Sequence, residues 1–220
     1  MAKTIGLAQR TAQTLAANPP RLLLIAGASG VGKSTAAVGV AHRAGFRRVM
    51  STDAIREIMR AIIEPEQSPA LHRSSFSSGE SGDAVLDWNE TCLAVESGVS
   101  AIVDRARREG VDLLLEGVHL VPSARLLRAW EEAGGVALGV VMVVDEERTH
   151  ESMLKKRDMN SYRRSDRYLA NFSRIRAIQD GLIERAKIAN WPLVDPSRVE
   201  DDVERLFTLL NRAVREQTDA

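Results

Sequence analysis

Residues 27–35, GASGVGKST, set a lysine and two hydroxyls directly behind a glycine-rich run. In the spacing GxxxxGKS, backbone N–H groups can surround an anion. Lys33 can reach β- and γ-phosphates, and the Ser34 hydroxyl is placed to ligate Mg²⁺. Gly27, Gly30 and Gly32 let the chain turn and approach the anion closely, with Ala28, Ser29, Val31 and Thr35 completing the cradle. A bare glycine turn is the plainer alternative, and the flanking residues weigh against it. Leu22 to Ile25 form a short apolar run, the mark of a strand buried on both faces, and STAAVGVAHRAG reads as a helix closing at Gly45. Strand, loop and helix N-terminus in that order make a nucleotide-binding loop.

Other residues could do chemistry beside it. Asp53 follows a weak strand candidate at 47–52 and opens the helical stretch AIREIMRAII. Aspartate is a favoured helix cap, but the carboxyl end of a strand next to the loop strand is also where open α/β sheets place ligands, which suits a catalytic or metal-related role. Arg56 and Arg60 lie four apart on that helix and could meet a carboxylate or phosphate, or only solvent. His72, Arg73, Ser74 and Ser75 form a compact donor group within residues 64–82, a proline-, serine- and glycine-rich stretch that reads as a loop able to bind or close over a ligand. Glu116 ends the apolar run 111–115 and is either a surface acid or the carboxylate that orients Mg²⁺. His119 reads equally as a hydrogen-bonded structural histidine and as a substrate contact. Residues 155–176 hold eight basic side chains against two acidic ones, an unalternated concentration placed like a lid.

The elements that must carry these groups alternate. Strands are expected near 22–25, 47–52, 111–115, 136–144 and 191–195, with helices between them, including one long amphipathic helix over 83–108 bent near Gly98 and a first helix over 3–17. That order predicts a single α/β domain over 1–220 with a parallel sheet covered on both faces. Lys plus Arg and Asp plus Glu are each 30, so no overall basic field points to nucleic acid or membrane. Tyr162, Tyr168 and Phe172 form no evident stacking platform for bases. A lone Cys92, read as a core residue, excludes an internal disulfide and a multi-cysteine zinc site. With no signal peptide or membrane-length apolar run, a soluble cytoplasmic protein is expected, its oligomeric state open between monomer and homodimer.

GASGVGKST, STDAIREIMR, LHRSSF, EGVHLVP and YLANFSRIRAIQ, in this order, resemble the 2-phosphoglycerate kinase family of P-loop kinases over about residues 20–215. Residues 77–92 fit the family pattern poorly. The archaeal members carry an extra N-terminal nucleotide-binding module with no counterpart before residue 20. The resemblance implies a three-layer P-loop kinase fold, with the loop strand central in a five-stranded parallel sheet and an arginine-rich lid over about 155–170. It also implies transfer of the γ-phosphoryl group of ATP, with Mg²⁺, to a small phosphorylated hydroxy acid, 2-phosphoglycerate giving 2,3-bisphosphoglycerate. On that reading Lys33, Asp53, Arg163, Arg164 and Arg167 are catalytic, and Arg157 joins residues 27–35 on the nucleotide. Asp53, Arg56, Arg60, His72, Arg73, Ser74, Ser75, Glu116 and His119 meet the acceptor, and Ser34, Asp53 and Glu116 hold the metal. A kinase for another anionic or polyol acceptor and a nucleotide-dependent switch are the competing readings. The absence of NKxD and LSGGQ-type signatures disfavours guanine specificity and transport ATPases.

Overall fold

The apolar run ahead of the glycine-rich loop forms β1 (Arg21–Gly27), and Leu22 to Ala26 are all fully buried. Burial on both faces requires cover above and below, and the strand sits third in a sheet ordered β2 (Val49–Ser51), β3 (Leu113–Gly117), β1, β4 (Val136–Met142), β5 (Leu193–Val194). Every pairing is parallel, with Ile25 opposite Glu116 on one side and Val140 on the other. The expectation of five parallel strands around a central loop strand is met. The outer strands are only three and two residues long, which leaves little exposed edge. This computed structural model describes residues 19–159, 165–198 and 201–218, so the helix expected over 3–17 lies outside the described residues.

Nine helices are described: α1 (Lys33–Ala44), α2 (Thr52–Arg60), α3 (Pro69–His72), α4 (Ala84–Glu109), α5 (Ala124–Glu131), α6 (Glu147–Met159), α7 (Ser165–Leu169), α8 (Phe172–Ala189) and α9 (Asp202–Thr218). One packed group joins α1 to α9 and α9 to β4; another joins α4 to α2 and α8. Polar side chains fix the ends of these elements. Asp83 caps α4 by accepting from the N–H groups of Val85 and Leu86, at 2.9 and 2.8 Å. Gln179, buried on α8, donates to the carbonyl of Val144 and accepts from its N–H, closing the chain just beyond β4.

Gly98, where a bend is expected, lies against α2. A Cβ there would stand 2.5 Å from Ile55 Cγ2 and 2.7 Å from Met59 Sδ, so the glycine permits α2 to lie directly on α4. The stretch 64–82 is also more organised than a plain loop: α3 interrupts it, and side chains from α2, α4 and α8 bind its backbone.

Candidate active site

The parallel sheet delivers the carboxyl ends of β1, β2 and β3 to one edge, and several of the residues expected to do chemistry meet there. A cleft of about 480 Å³ is lined by Ser29, Lys33 and Ser34 from the glycine-rich loop and α1, and by Asp53 and Arg56 from α2. Ser74, Ser75 and Phe76 enter from the loop after α3, Glu116 and His119 from the end of β3, and Arg167 from α7.

Hydrogen bonds join the two sides of this cleft. Ser34 Oγ donates to Glu116 Oε1 at 2.9 Å, and the Lys33 ammonium reaches back to the Ala28 carbonyl at 2.7 Å. Among the described residues no group of three or more His, Cys, Asp or Glu side chains could hold a metal ion. One hydroxyl and one carboxylate side by side suit Mg²⁺, which keeps several waters and takes its remaining ligands from substrate phosphates.

His119 is buried, with its Nδ1 3.1 Å from Thr52 Oγ1 and 3.7 Å from Asp53 Oδ1. Burial pushes its pKa down to about 4 against the pull of Asp53, so the ring is neutral at ordinary pH. The Asp53 carboxylate is 58% exposed and looks into the cleft. Trp88 on α4 donates its indole N–H to the Val118 carbonyl at 2.8 Å, which fixes the turn carrying His119.

The arginines divide by what they already hold. Arg56 donates to the carbonyls of Leu71 and Arg73, at 2.8 and 2.5 Å, while lining the cleft. Burial, then the neighbouring Arg60 charge, lower its pKa, as expected for a cation in a crowded basic corner. Arg167 donates to Ser74 Oγ and lies over the Phe76 ring, 5.4 Å from its centroid. It thus faces the loop between α3 and α4. Arg60, His72 and Arg73 do not line the cleft. Arg60 pairs with Glu57 at 2.9 Å, His72 Nε2 lies 2.7 Å from the Ile63 carbonyl, and Arg73 is held by Glu90 and the Asp87 carbonyl, both at 2.6 Å. Local sequence placed them beside the mouth, but each is turned onto its own segment or onto α4. Arg163 and Arg164 lie outside the described residues, as does the side chain of Arg157.

Two arginines at the end of the basic stretch serve the backbone. Arg176 donates to the carbonyls of Val144 and Asp145, and Arg174 binds three carbonyls of the loop between α3 and α4. Carbonyls at sheet ends and in loops need donors, and a guanidinium supplies five.

Sequence reasoning missed the support beneath the glycine-rich loop. His150 on α6 is fully buried, with Nε2 2.8 Å from the Ser29 carbonyl. A Cβ at Gly30 would stand 2.4 Å from Leu154 Cδ2, so α6 packs straight onto the loop. Met153 and Lys156 of the same helix line a second hollow of about 350 Å³ with Gly30, Gly32, Lys33, Ser34 and Thr35. The i, i+4 pair His150 and Leu154 was the available signal, but only the tertiary fold shows what that face meets.

No protein-family model matches the chain. It is 34% identical over 195 residues to the 2-phosphoglycerate kinase of Pyrococcus horikoshii, covering 86% of this chain and 63% of that protein. It is 33% identical over 201 residues to the 2-phosphoglycerate kinase of Thermococcus kodakarensis, covering 88% and 67%. The chain thus spans about two thirds of the length of such relatives. Among solved structures, a gluconokinase from Sinorhizobium meliloti superposes with a TM-score of 0.51 over 91% of this chain and 95% of that one, at 16% identity, a likeness of fold. Sequence kinship over most of the chain and the P-loop kinase sheet agree: the chain belongs to the 2-phosphoglycerate kinase family.

Proposed function

We propose that the chain transfers the γ-phosphoryl group of ATP to the free hydroxyl of a small phosphorylated hydroxy acid, most specifically 2-phosphoglycerate, giving 2,3-bisphosphoglycerate and ADP. One observation carries this reading. A single cleft joins the Lys33 and Ser34 end of the glycine-rich loop to a carboxylate, Asp53, and to two arginines and two serines on its other wall. Phosphoryl transfer asks for that combination, because positioning and charge neutralisation supply most of the rate.

In the proposed reaction the loop N–H groups and Lys33 bind the β- and γ-phosphates. Ser34, with Glu116 and a contribution from Asp53, would hold Mg²⁺, which supplies neutralisation of the developing phosphate charge. The acceptor hydroxyl oxygen forms the new P–O bond, the bond to ADP breaks, and Asp53 takes the hydroxyl proton. Neutral His119, 3.7 Å away, leaves the charge on that carboxylate. Arg56, Arg167, Ser74 and Ser75 would hold the acceptor's phosphate and carboxylate. An uncharged polyol would leave that basic wall uncompensated, which favours an anionic acceptor over a neutral one.

The test is ADP release with ATP and Mg²⁺ across no acceptor, glycerate, 2-phosphoglycerate, 3-phosphoglycerate, gluconate and nucleosides. Stimulation by 2-phosphoglycerate with 2,3-bisphosphoglycerate as product is expected. Stimulation by another compound moves the acceptor and keeps the mechanism; turnover indifferent to every acceptor overturns the kinase reading in favour of a nucleotide switch.

A further inference from the structure

The loop that carries Ser74 and Ser75 is bound by two side chains that touch neither nucleotide-binding loop nor cleft. Asp87, in the first turn of α4, is completely buried. Its Oδ2 accepts from the Gly79 N–H at 2.8 Å and from Arg174 Nη2 at 2.6 Å; its Oδ1 accepts from the Ser81 hydroxyl at 2.6 Å and, more weakly, from the Ser81 N–H at 3.3 Å. Burial alone would favour the neutral acid, but these donors outweigh it and hold the carboxyl well below the usual range.

Arg174 on α8 completes the arrangement. Its guanidinium donates to the carbonyl of Phe76 at 2.9 Å, of Gly82 at 2.9 Å and of Ser77 at 3.3 Å. One anion thus reads the loop's N–H groups while one cation reads its carbonyls, and each is bound to the other. Arg73 packs into the same turn: a Cβ at Gly79 would lie 2.6 Å from its Cζ. Phe76, whose carbonyl is so bound, follows Ser75 directly, and it and both serines line the cleft.

We infer that Asp87 and Arg174 are positioning residues that fix the acceptor loop, so that they set affinity for the acceptor and leave nucleotide affinity untouched. The inference rests on the proposed kinase reading for what fills the cleft, whereas the anchoring itself does not. A segment of this length with little regular structure would otherwise pay its ordering cost at each binding event, and pre-ordering by the buried pair removes that cost from the acceptor's affinity.

The test uses the full chain with Asp87→Asn, Arg174→Lys and Ser81→Ala, the last two keeping the question open should the first not fold. Asparagine has one acceptor oxygen where four donors converge, and lysine cannot span three carbonyls. For Asp87→Asn and Arg174→Lys, KM for 2-phosphoglycerate, or its dissociation constant by calorimetry, should rise at least tenfold while KM for ATP stays within twofold. Amide exchange at Gly79 and Ser81 should accelerate at least a hundredfold, with α4 core amides unchanged. Ser81→Ala should give a smaller shift in the same direction. Unchanged acceptor affinity with faster loop exchange would overturn the inference, as would equal losses for ATP and acceptor. If wild type neither binds nor phosphorylates 2-phosphoglycerate, the proposed substrate fails, and the same measurements with the stimulating acceptor decide the loop's role. Slow exchange at Gly79 and Ser81 in both variants would refute the anchoring whatever the acceptor.

Discussion

Gly117 ends β3 beneath the start of α2, and replacing it with alanine should cost both stability and turnover. An added Cβ would stand 1.8 Å from Thr52 Oγ1, 2.7 Å from Thr52 Cβ and 2.9 Å from its Cγ2. Ordinary contact begins at 3.4 Å, so the nearest approach must open by about 1.6 Å. Rotating the threonine moves Oγ1 but leaves its Cβ too close, and Thr52 is fully buried, so the N-terminus of α2 itself must shift. Overpacking of this kind costs about 1–3 kcal/mol. In a domain of this size that corresponds to a fall in Tm of roughly 3–10 °C.

The same shift moves Asp53, the next residue, and stretches the 3.1 Å contact between Thr52 and His119. Misplacing a reacting group by ~1 Å costs on the order of 100-fold in rate. Scanning fluorimetry gives the first quantity, and steady-state ADP release at saturating ATP and acceptor gives the second. Adding Thr52→Ala should recover part of the Tm by removing Oγ1 and Cγ2 without restoring the rate, because the His119 contact is then gone. Gly117→Ala with wild-type Tm and a kcat within threefold of wild type would refute the close-approach argument and detach the Thr52–His119–Asp53 geometry from turnover.

Lys33→Ala should lower kcat/KM by at least ~10³-fold, since the β- and γ-phosphates lose their cation; near-normal rates would remove the loop from catalysis. Asp53→Asn should reduce kcat by ~10²–10⁴-fold while a fluorescent ATP analogue still binds, and unchanged turnover would take Asp53 out of the mechanism. Glu116→Gln keeps an oxygen for the Ser34 hydroxyl but removes the charge, so the Mg²⁺ concentration for half-maximal rate should rise; an unaltered Mg²⁺ titration would assign the metal elsewhere. His119 makes stability depend on pH in a defined window. Its folded pKa is lowered from 6.5 to about 4 by burial, so the unfolded chain binds a proton first as pH falls. The contribution is nil above about pH 6.5, and stability is lost progressively from there toward pH 4. Urea midpoints measured across that range should fall less steeply in His119→Asn, and parallel slopes would show that another group, such as buried His150, carries the effect.

Much of the fold was legible because its signals are local. The leucine run of β1, the glycine-rich loop and the closing Gly45 of α1 each follow from adjacent residues, and the alternation of strand and helix then dictates a parallel sheet. The edge strands were harder to bound: β2 and β5 make only three and two ladder residues, less than the apolar stretches around them implied. Of the site, what lies at strand ends was readable, because topology alone brings Lys33, Ser34, Asp53, Glu116 and His119 to one edge. The arginines were not, since a guanidinium's reach lets it serve substrate, carbonyl or carboxylate equally well, and composition cannot tell these apart.

That ambiguity has a physical resolution in the loop between α3 and α4. The chain there has too few apolar residues to pack by burial alone, and its backbone groups must find partners as it leaves water. Arg56 and Arg174 supply donors to it and Asp87 supplies acceptors, while Arg73 ties the loop to α4, so charges that looked available for a ligand are spent on holding the loop. Arg56 serves the loop and lines the cleft together; Arg167 touches the loop only through Ser74 and the Phe76 face. On the proposed reading the acceptor wall has two layers: an outer one, Arg174 and buried Asp87, that shapes the backbone, and an inner one, Arg56, Arg167, Ser74 and Ser75, that presents donors. A change in the outer layer should weaken acceptor binding through the loop's backbone, while a change in the inner layer should remove a donor to the anion directly.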